Sequence, residues 1–217
     1  MLKFSSLGSG SEGNSFLIRS NQALVMVDCG FNFKETSKRL KKLDVDLSEI
    51  NGILITHEHE DHCKSVSQIL KNNKIKIYST YGTAKRLNLL NDIEVINSNE
   101  LIKINDIKIS VIPVPHDASE PCHFVFESSN LKIGIITDFG FVTNKIKKKY
   151  SDLNLLVVEA NHDAGLLENS KYPINLKKRI LGKYGHVDNT TVRDFIMDIE
   201  KENLEKIIFC HLSKNNN

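Results

Sequence analysis

A chain of 217 residues, 40% hydrophobic and 26% charged, holds enough apolar material for one packed core and is too apolar to be a disordered segment. Its 29 basic residues against 27 acidic ones leave a formal charge of +2, which excludes binding driven by global charge; any surface for nucleic acid has to be local. No apolar run approaches the ~18 residues of a membrane span, and the N-terminus lacks a secretory leader pattern.

Residues Leu2 to Ile18 read "LKFSSLGSGSEGNSFLI", in which Gly8, Gly10 and Gly13 spell G-x-G-x-x-G after a strand. A dinucleotide fold needs a helix to begin there. Here "SFLIRS", a polar turn and "ALVMVDCG" read as two further strands, so no nucleotide cofactor is expected and the glycines are assigned to a tight backbone approach. "NFKETSKRLKKLDVD" has helical spacing, "INGILIT" is a short buried strand, and Lys64 to Lys71 are predicted helical after a His-rich turn. Then follow a strand in "KIKIYS", a helix in "YGTAKRLNLL", and strands in "IEVI", "ELIKI" and "IKISVIPVP". "CHFVFESS" and "LKIGIITDFG" form a hairpin-like pair. Lys145 to Tyr150 is helical, "LNLLVVEAN" a buried strand, Thr190 to Lys201 a helix and "KIIFCHLS" the final strand. Strands with interspersed helices predict two packed sheets with helices outside, in a single domain over 1–217.

The densest chemistry is "HEHEDH", directly after the "GILIT" strand. Alternate residues of an extended segment point the same way, so His57 and His59 suit one ion, while Asp61 and His62 reach a second as the chain turns into a helix. Two ions ~3.5–4 Å apart share and activate a bridging hydroxide for hydrolysis. His116, His162, His186 and His211 also follow strands or precede a helix; His123, within "CHFVF", reads as a packing residue. Cys29, Cys63, Cys122 and Cys210 are scattered without a C-x-x-C pair, and with no leader pattern this places the chain in a reducing, cytoplasmic compartment.

H-x-H-x-D-H after a short apolar strand resembles the signature of the metallo-β-lactamase fold. The likeness narrows to the WalJ/YycJ/VicX group of bacterial proteins through Ser9–Asn14, "HDA-x-x-P" at His116–Pro121, "E-x-N-H-D" at Glu159–Asp163 and "GH-x-x-N" at Gly185–Asn189. The resemblance implies an α+β, four-layer αββα sandwich with a dinuclear metal site at the edge between the two sheets. It implies His57, His59 and His116 on metal one, Asp61, His62 and His211 on metal two, and Asp138 bridging. Asp28 orients the metal loop, with Asn14 and Glu159 as supporting hydrogen-bonders. Asp61 also orients the nucleophilic hydroxide, and His186 contacts the substrate phosphate or protonates the leaving oxygen, the alternative being a helix-start hydrogen bonder. His162 is a substrate contact or a support for a ligand, and Asn189 is carried as a substrate contact. The chain departs from the group at Ser65, Val187 and Asp188. It also ends at Asn217, several tens of residues earlier than those relatives, which reads as a short or truncated version.

Imidazole and carboxylate without thiolate accept Zn, Mn or Fe. The implied function is a phosphodiesterase of the nuclease kind, acting on DNA as a 5′-to-3′ exonuclease; the basic, tyrosine-interleaved runs Asn144–Tyr150 and Lys171–Tyr184 suit a phosphate backbone. The alternatives are a hydrolase of a cyclic phosphodiester, thioester or lactone, since loops rather than fold set the substrate, and a metal-stabilised regulatory module without activity.

Overall fold

The apolar runs of the sequence resolve into two six-stranded sheets, in a computed structural model that describes every residue from Met1 to Asn217. The first sheet runs in chain order through β1 (Lys3–Gly8), β2 (Ser15–Arg19), β3 (Leu24–Val27), β4 (Gly52–Leu54), β5 (Ile77–Thr80) and β6 (Glu94–Ile96). The second consists of β7 (Leu101–Ile104), β8 (Ile107–Pro113), β9 (Cys122–Ser128), β10 (Leu131–Ile136), β11 (Leu155–Glu159) and β12 (Lys206–Cys210), again adjacent in chain order. Each sheet is antiparallel where tight turns join its strands and parallel where longer crossovers do: β3 to β6 in the first, β10 to β12 in the second. Strands such as β3 are buried on both faces, which is why they read as unbroken apolar runs.

Three apolar clusters define four layers. Phe16, Ile18, Val25 and Val27 from the first sheet meet Ile109, Phe124, Phe126 and Ile133 from the second in the central layer. On the outer face of the first sheet, α1 (Phe33–Lys41) and α3 (Val66–Asn72) contribute Leu40, Val66 and Ile69. On the outer face of the second, α5 (Asn144–Lys149) and α8 (Asn189–Asp198) contribute Ile146, Val192 and Phe195. The layered arrangement is the αββα sandwich expected from the sequence. No helix is long and apolar enough to cross a membrane.

Three local differences from the sequence reading have physical reasons. The helix expected from Lys64 begins at Val66 as α3, after an unexpected short helix α2 (Glu60–Cys63), because Ser65 leaves helical geometry and its hydroxyl donates to the Cys29 carbonyl at 3.1 Å. The last helix stops at Asp198, where Ile199 turns extended and tucks into the core. Two helices, α6 (Ala164–Asn169) and α7 (Ile174–Ile180), lie in a stretch without amphipathic spacing; α7 buries none of its residues. A short helix, α4 (Tyr81–Arg86), completes the set.

Phe124 is fully buried between the sheets. Phe124→Ala is expected to lower stability by about 3–5 kcal/mol, a large aromatic cavity in a packed interior, measured as a shift of the urea midpoint without a change in slope.

Candidate metal centre

Strand ends supply the side chains. Asp28 follows β3, His57 comes just after β4, Asp138 follows β10, Glu159 closes β11 and His211 follows β12, so these residues sit beyond the carboxyl ends of the parallel strands, where open sheets gather ligand-binding groups. Asp28, Asp138 and His211 all take left-handed backbone, with φ of 58°, 49° and 50°. For non-glycine residues this conformation costs about 1–3 kcal/mol each and persists only where the surroundings enforce it. At each of these strand ends it turns the chain abruptly.

The loops lock together through backbone. Asn14 N–H donates to Asp61 O at 2.7 Å, Gly30 N–H to Asn14 O at 3.0 Å, and Cys29 N–H to His62 O at 2.8 Å. A Cβ on Gly30 would collide with the Asp61 carbonyl, so only glycine permits this approach. The glycines of the N-terminal loop serve the same kind of packing: a Cβ at Gly13, whose φ is 153°, would strike the Phe31 ring. Asn14 is fully buried and donates through Nδ2 toward Asp61 Oδ2 at 3.3 Å, with His62 Nε2 at 3.0 Å.

The histidines share a pattern of outward anchoring. His62 Nδ1 donates to Asp28 at 2.8 Å, His116 Nδ1 faces the Gly185 carbonyl at 3.2 Å, and His211 Nδ1 donates to Glu159 at 2.9 Å. His57 Nδ1 contacts Thr56 Oγ1 at 3.0 Å, and that hydroxyl in turn donates to Asp28. Each of these rings therefore presents Nε2 inward. His57 Nε2 and His116 Nε2 lie 3.0 Å and 3.3 Å from the same atom, His59 Nδ1. With the protons of His57 and His116 on Nδ1, two lone pairs face one nitrogen that carries at most one proton. Asp138 Oδ2, 3.2 Å from His62 Nε2, and His211 Nε2, 3.5 Å from Asp138 Oδ1, are buried and make no hydrogen bond. Such an array of converging, under-satisfied donor atoms fits a divalent cation, and the outward hydrogen bonds are of the kind that fix metal-ligating imidazoles.

Within this cluster, His57, His59 and His116 form one group able to hold an ion, Asp61, His62 and His211 another, and Asp138 joins His57 and His62 in a third. All seven side chains assigned from the sequence are thus brought together. Glu159 binds the Nδ1 of both His211 and His186, the latter at 2.7 Å, and these with Asp138 form a fourth group. The His186 and His211 rings stack with centroids 5.3 Å apart. His186 does not serve a helix start; Asp188 caps α8, accepting from the N–H groups of Thr190 and Thr191. His162 is buried beside Asn161, and Asn189 bonds to Asn217; neither lines the cavity over the cluster. His123 is buried in β9.

Charge is divided unevenly among the rings. Burial, aided by the charge of His62, holds His57 far below the usual imidazole range. Against the cost of burial, Asp138 and Asp28 raise His62 to about 10, and Asp138 raises His211 well above its ordinary value. His186 rises because Glu159 faces it, again against its burial. Asp138, although buried, is held well below the usual carboxylate range by His211 and His62.

The cluster opens into a cavity of about 350 Å³ lined on one side by α7, through Leu176, Arg179 and Ile180, and on another by Lys214. Tyr172 also reaches it. Arg179 and Asp117, the residue after His116, form an ion pair at 2.7 Å at its rim. Arg179, Tyr172 and Lys214 were not singled out from the sequence; the "KKR" run at Lys177–Arg179 marked a basic stretch without saying which cation faces the cluster. The other basic run, α5, packs on the far face of the second sheet, and Lys147 pairs with Asp198.

The sequence profile of the beta-lactamase superfamily domain matches residues 24–202. The chain belongs to that superfamily. It is 33% identical to the exodeoxyribonuclease YycJ of Bacillus anthracis, over 100% of this chain and 84% of that protein. It is 29% identical to the exodeoxyribonuclease WalJ of Streptococcus pneumoniae serotype 2, over 99% of this chain and 83% of that one. Among solved structures it resembles the metallo-beta-lactamase fold protein YhfI of Bacillus subtilis, with a TM-score of 0.75 and 13% identity over 97% of this chain and 86% of that chain. This superfamily chain therefore has a metallo-β-lactamase fold whose His/Asp cluster is suited to divalent metal.

Each manganese or zinc ion bound at a hundredfold excess over its Kd is expected to stabilise the protein by about 2.7 kcal/mol. For a domain of this length that raises Tm by about 5–11 °C. Asp138→Ala is expected to abolish the shift in differential scanning calorimetry while leaving a folded protein.

Proposed function

We propose that the chain is a dinuclear-metal exodeoxyribonuclease that hydrolyses phosphodiester bonds of DNA from a 5′ end. The observation that carries this reading is the convergence of His57, His59, Asp61, His62, His116, Asp138 and His211 in donor groups, of which His59, Asp61, Asp138 and His211 line an open cleft. Full-length similarity to chains named exodeoxyribonucleases supports the substrate class. In this assignment His57, His59 and His116 would hold one ion and Asp61, His62 and His211 the other, with Asp138 available to both. Zinc, manganese and iron all suit a site of imidazole and carboxylate. When bound, the pair of cations supplies acidity to water and neutralises phosphate charge.

The protein's own groups then divide the remaining work. Asp61 borders the cavity with its carboxylate toward His62 and His211, at 3.6 and 3.8 Å, where it orients the attacking group. His186 holds its Nδ1 proton on Glu159 and lines the cavity, which leaves Nε2 for the substrate. Because Glu159 favours the imidazolium form, Nε2–H is available to donate to the leaving oxygen as general acid. Asp28 takes no part in chemistry; through Thr56 and His62 it keeps two rings in register. Four unpaired cysteines, three buried and Cys63 half-buried, suit a reducing cytoplasm.

The test uses protein stripped and reloaded with manganese or zinc and duplex DNA labelled at one 5′ or one 3′ end. Metal-dependent degradation with early release of 5′ label is expected. Asp61→Ala should lose at least about a hundredfold in kcat, and His186→Gln about 10²–10⁴-fold, the usual worth of a general acid. Turnover of small phosphodiesters or thioesters by a fully loaded protein that leaves DNA intact would point to the small-molecule alternative.

A further inference from the structure

The helix α7 is unusual in the structure: a seven-residue helix that buries none of its residues and ends in Lys177, Lys178 and Arg179. Such a helix contributes little to the core, and what holds it is polar. Lys177 Nζ donates to the Glu168 carbonyl at 2.7 Å, and Arg179 Nε donates to Asp117 Oδ2 at 2.7 Å. Its last turn runs into a segment pinned by backbone, with His186 N–H on Ile180 O at 3.0 Å and Asp117 N–H on Tyr184 O at 3.0 Å.

Arg179 and Lys214 are the cations lining the cavity above the cluster. Lys214 is largely exposed and paired with Glu12 on the opposite rim. Arg179 differs in how it is held. Only its Nε is engaged by protein; the two terminal nitrogens of the guanidinium have no protein partner. Asp117 also faces the cluster, its other oxygen 3.3 Å from His116 Nε2 and 3.8 Å from His59 Nε2. One carboxylate therefore ties the orientation of the guanidinium to the histidines beside it. A guanidinium fixed through Nε offers a planar fork of N–H donors, the geometry that grips two oxygens of a phosphate at once.

Resting on the nuclease reading, we propose that Arg179 is a phosphate clamp for the DNA strand, positioned by Asp117, and that it sets where the strand lies relative to the metal cluster. Arg179 binds the phosphate through its terminal nitrogens, and Asp117 acts only through Arg179.

The test measures cleavage and equilibrium binding of 5′-labelled duplex DNA by the manganese-loaded full chain across a range of salt, for wild type, Arg179→Ala, Arg179→Lys, Asp117→Asn and the Arg179→Ala/Asp117→Asn double variant. A lost charge-assisted contact is expected to weaken DNA binding about 10–100-fold in Arg179→Ala. The slope of log affinity against log salt should shrink by about 0.9, one phosphate contact. Arg179→Lys should recover the salt slope and only part of the affinity, since a point charge replaces the fork. Asp117→Asn should weaken binding in the otherwise wild-type chain, and the Arg179→Ala/Asp117→Asn double variant should bind no more weakly than Arg179→Ala, with metal content equal in all five proteins. Wild-type cleavage with an Arg179→Ala protein of unchanged affinity and salt slope overturns the clamp and leaves the nuclease reading standing. Binding that falls in Arg179→Ala while the loaded wild type leaves DNA intact overturns the nuclease reading and retains the phosphate contact.

Discussion

One buried carboxylate organises the ring cluster. Asp28 is fully buried and accepts from the Thr56 N–H at 2.9 Å, from the Thr56 hydroxyl at 3.0 Å and from His62 Nδ1 at 2.8 Å. Thr56 Oγ1 in turn meets His57 Nδ1, so a single acid fixes rings that face two different donor groups. A charge taken this far from water is tolerable only when its acceptor sites are filled, and here they are filled by the groups that must be held still. Glu159 repeats the device on the other sheet, bonded to His211 and His186. The cluster is thus held from behind by two buried acids, one on each sheet, with the ring nitrogens converging between them.

This arrangement explains the backbone around it. The sheets stack so that the carboxyl ends of β3, β4, β10, β11 and β12 deliver their following residues to one edge. Left-handed backbone at Asp28, Asp138 and His211 and the absence of a side chain at Gly30 allow loops to close to hydrogen-bonding distance. Stability is given up locally and recovered from the large inter-sheet core and the two outer apolar layers. The same economy leaves the outer wall of the cleft, α7, free of core duties and available for contact with a ligand.

Sequence patterns carried most of the strands, because buried strands such as β3 and β11 are continuous apolar runs and β8 alternates buried with exposed residues. They also carried the metal motif, because three histidines and an aspartate within "HEHEDH" concentrate donor chemistry in one turn. The remaining assigned ligands, His116, Asp138 and His211, are isolated in sequence; position at strand ends suggested the two histidines, and the family resemblance supplied Asp138 and the roles of all three. What escaped is what depends on tertiary placement. Helix α7 has no buried face, so no apolar period announces it. Arg179 sits among like-charged neighbours, and only the fold shows that it faces Asp117 while Lys178 does not line the cavity. The left-handed turns fall on aspartate and histidine rather than glycine, so composition gives no warning of them.

The proposed state of this cluster is a two-ion centre. Anomalous diffraction from crystals grown with manganese, collected above and below the metal edge, tests it directly. Two peaks per chain about 3.5–4 Å apart are expected, one among His57, His59 and His116 and one among Asp61, His62 and His211, with Asp138 between. A single peak, or peaks away from these residues, would contradict it.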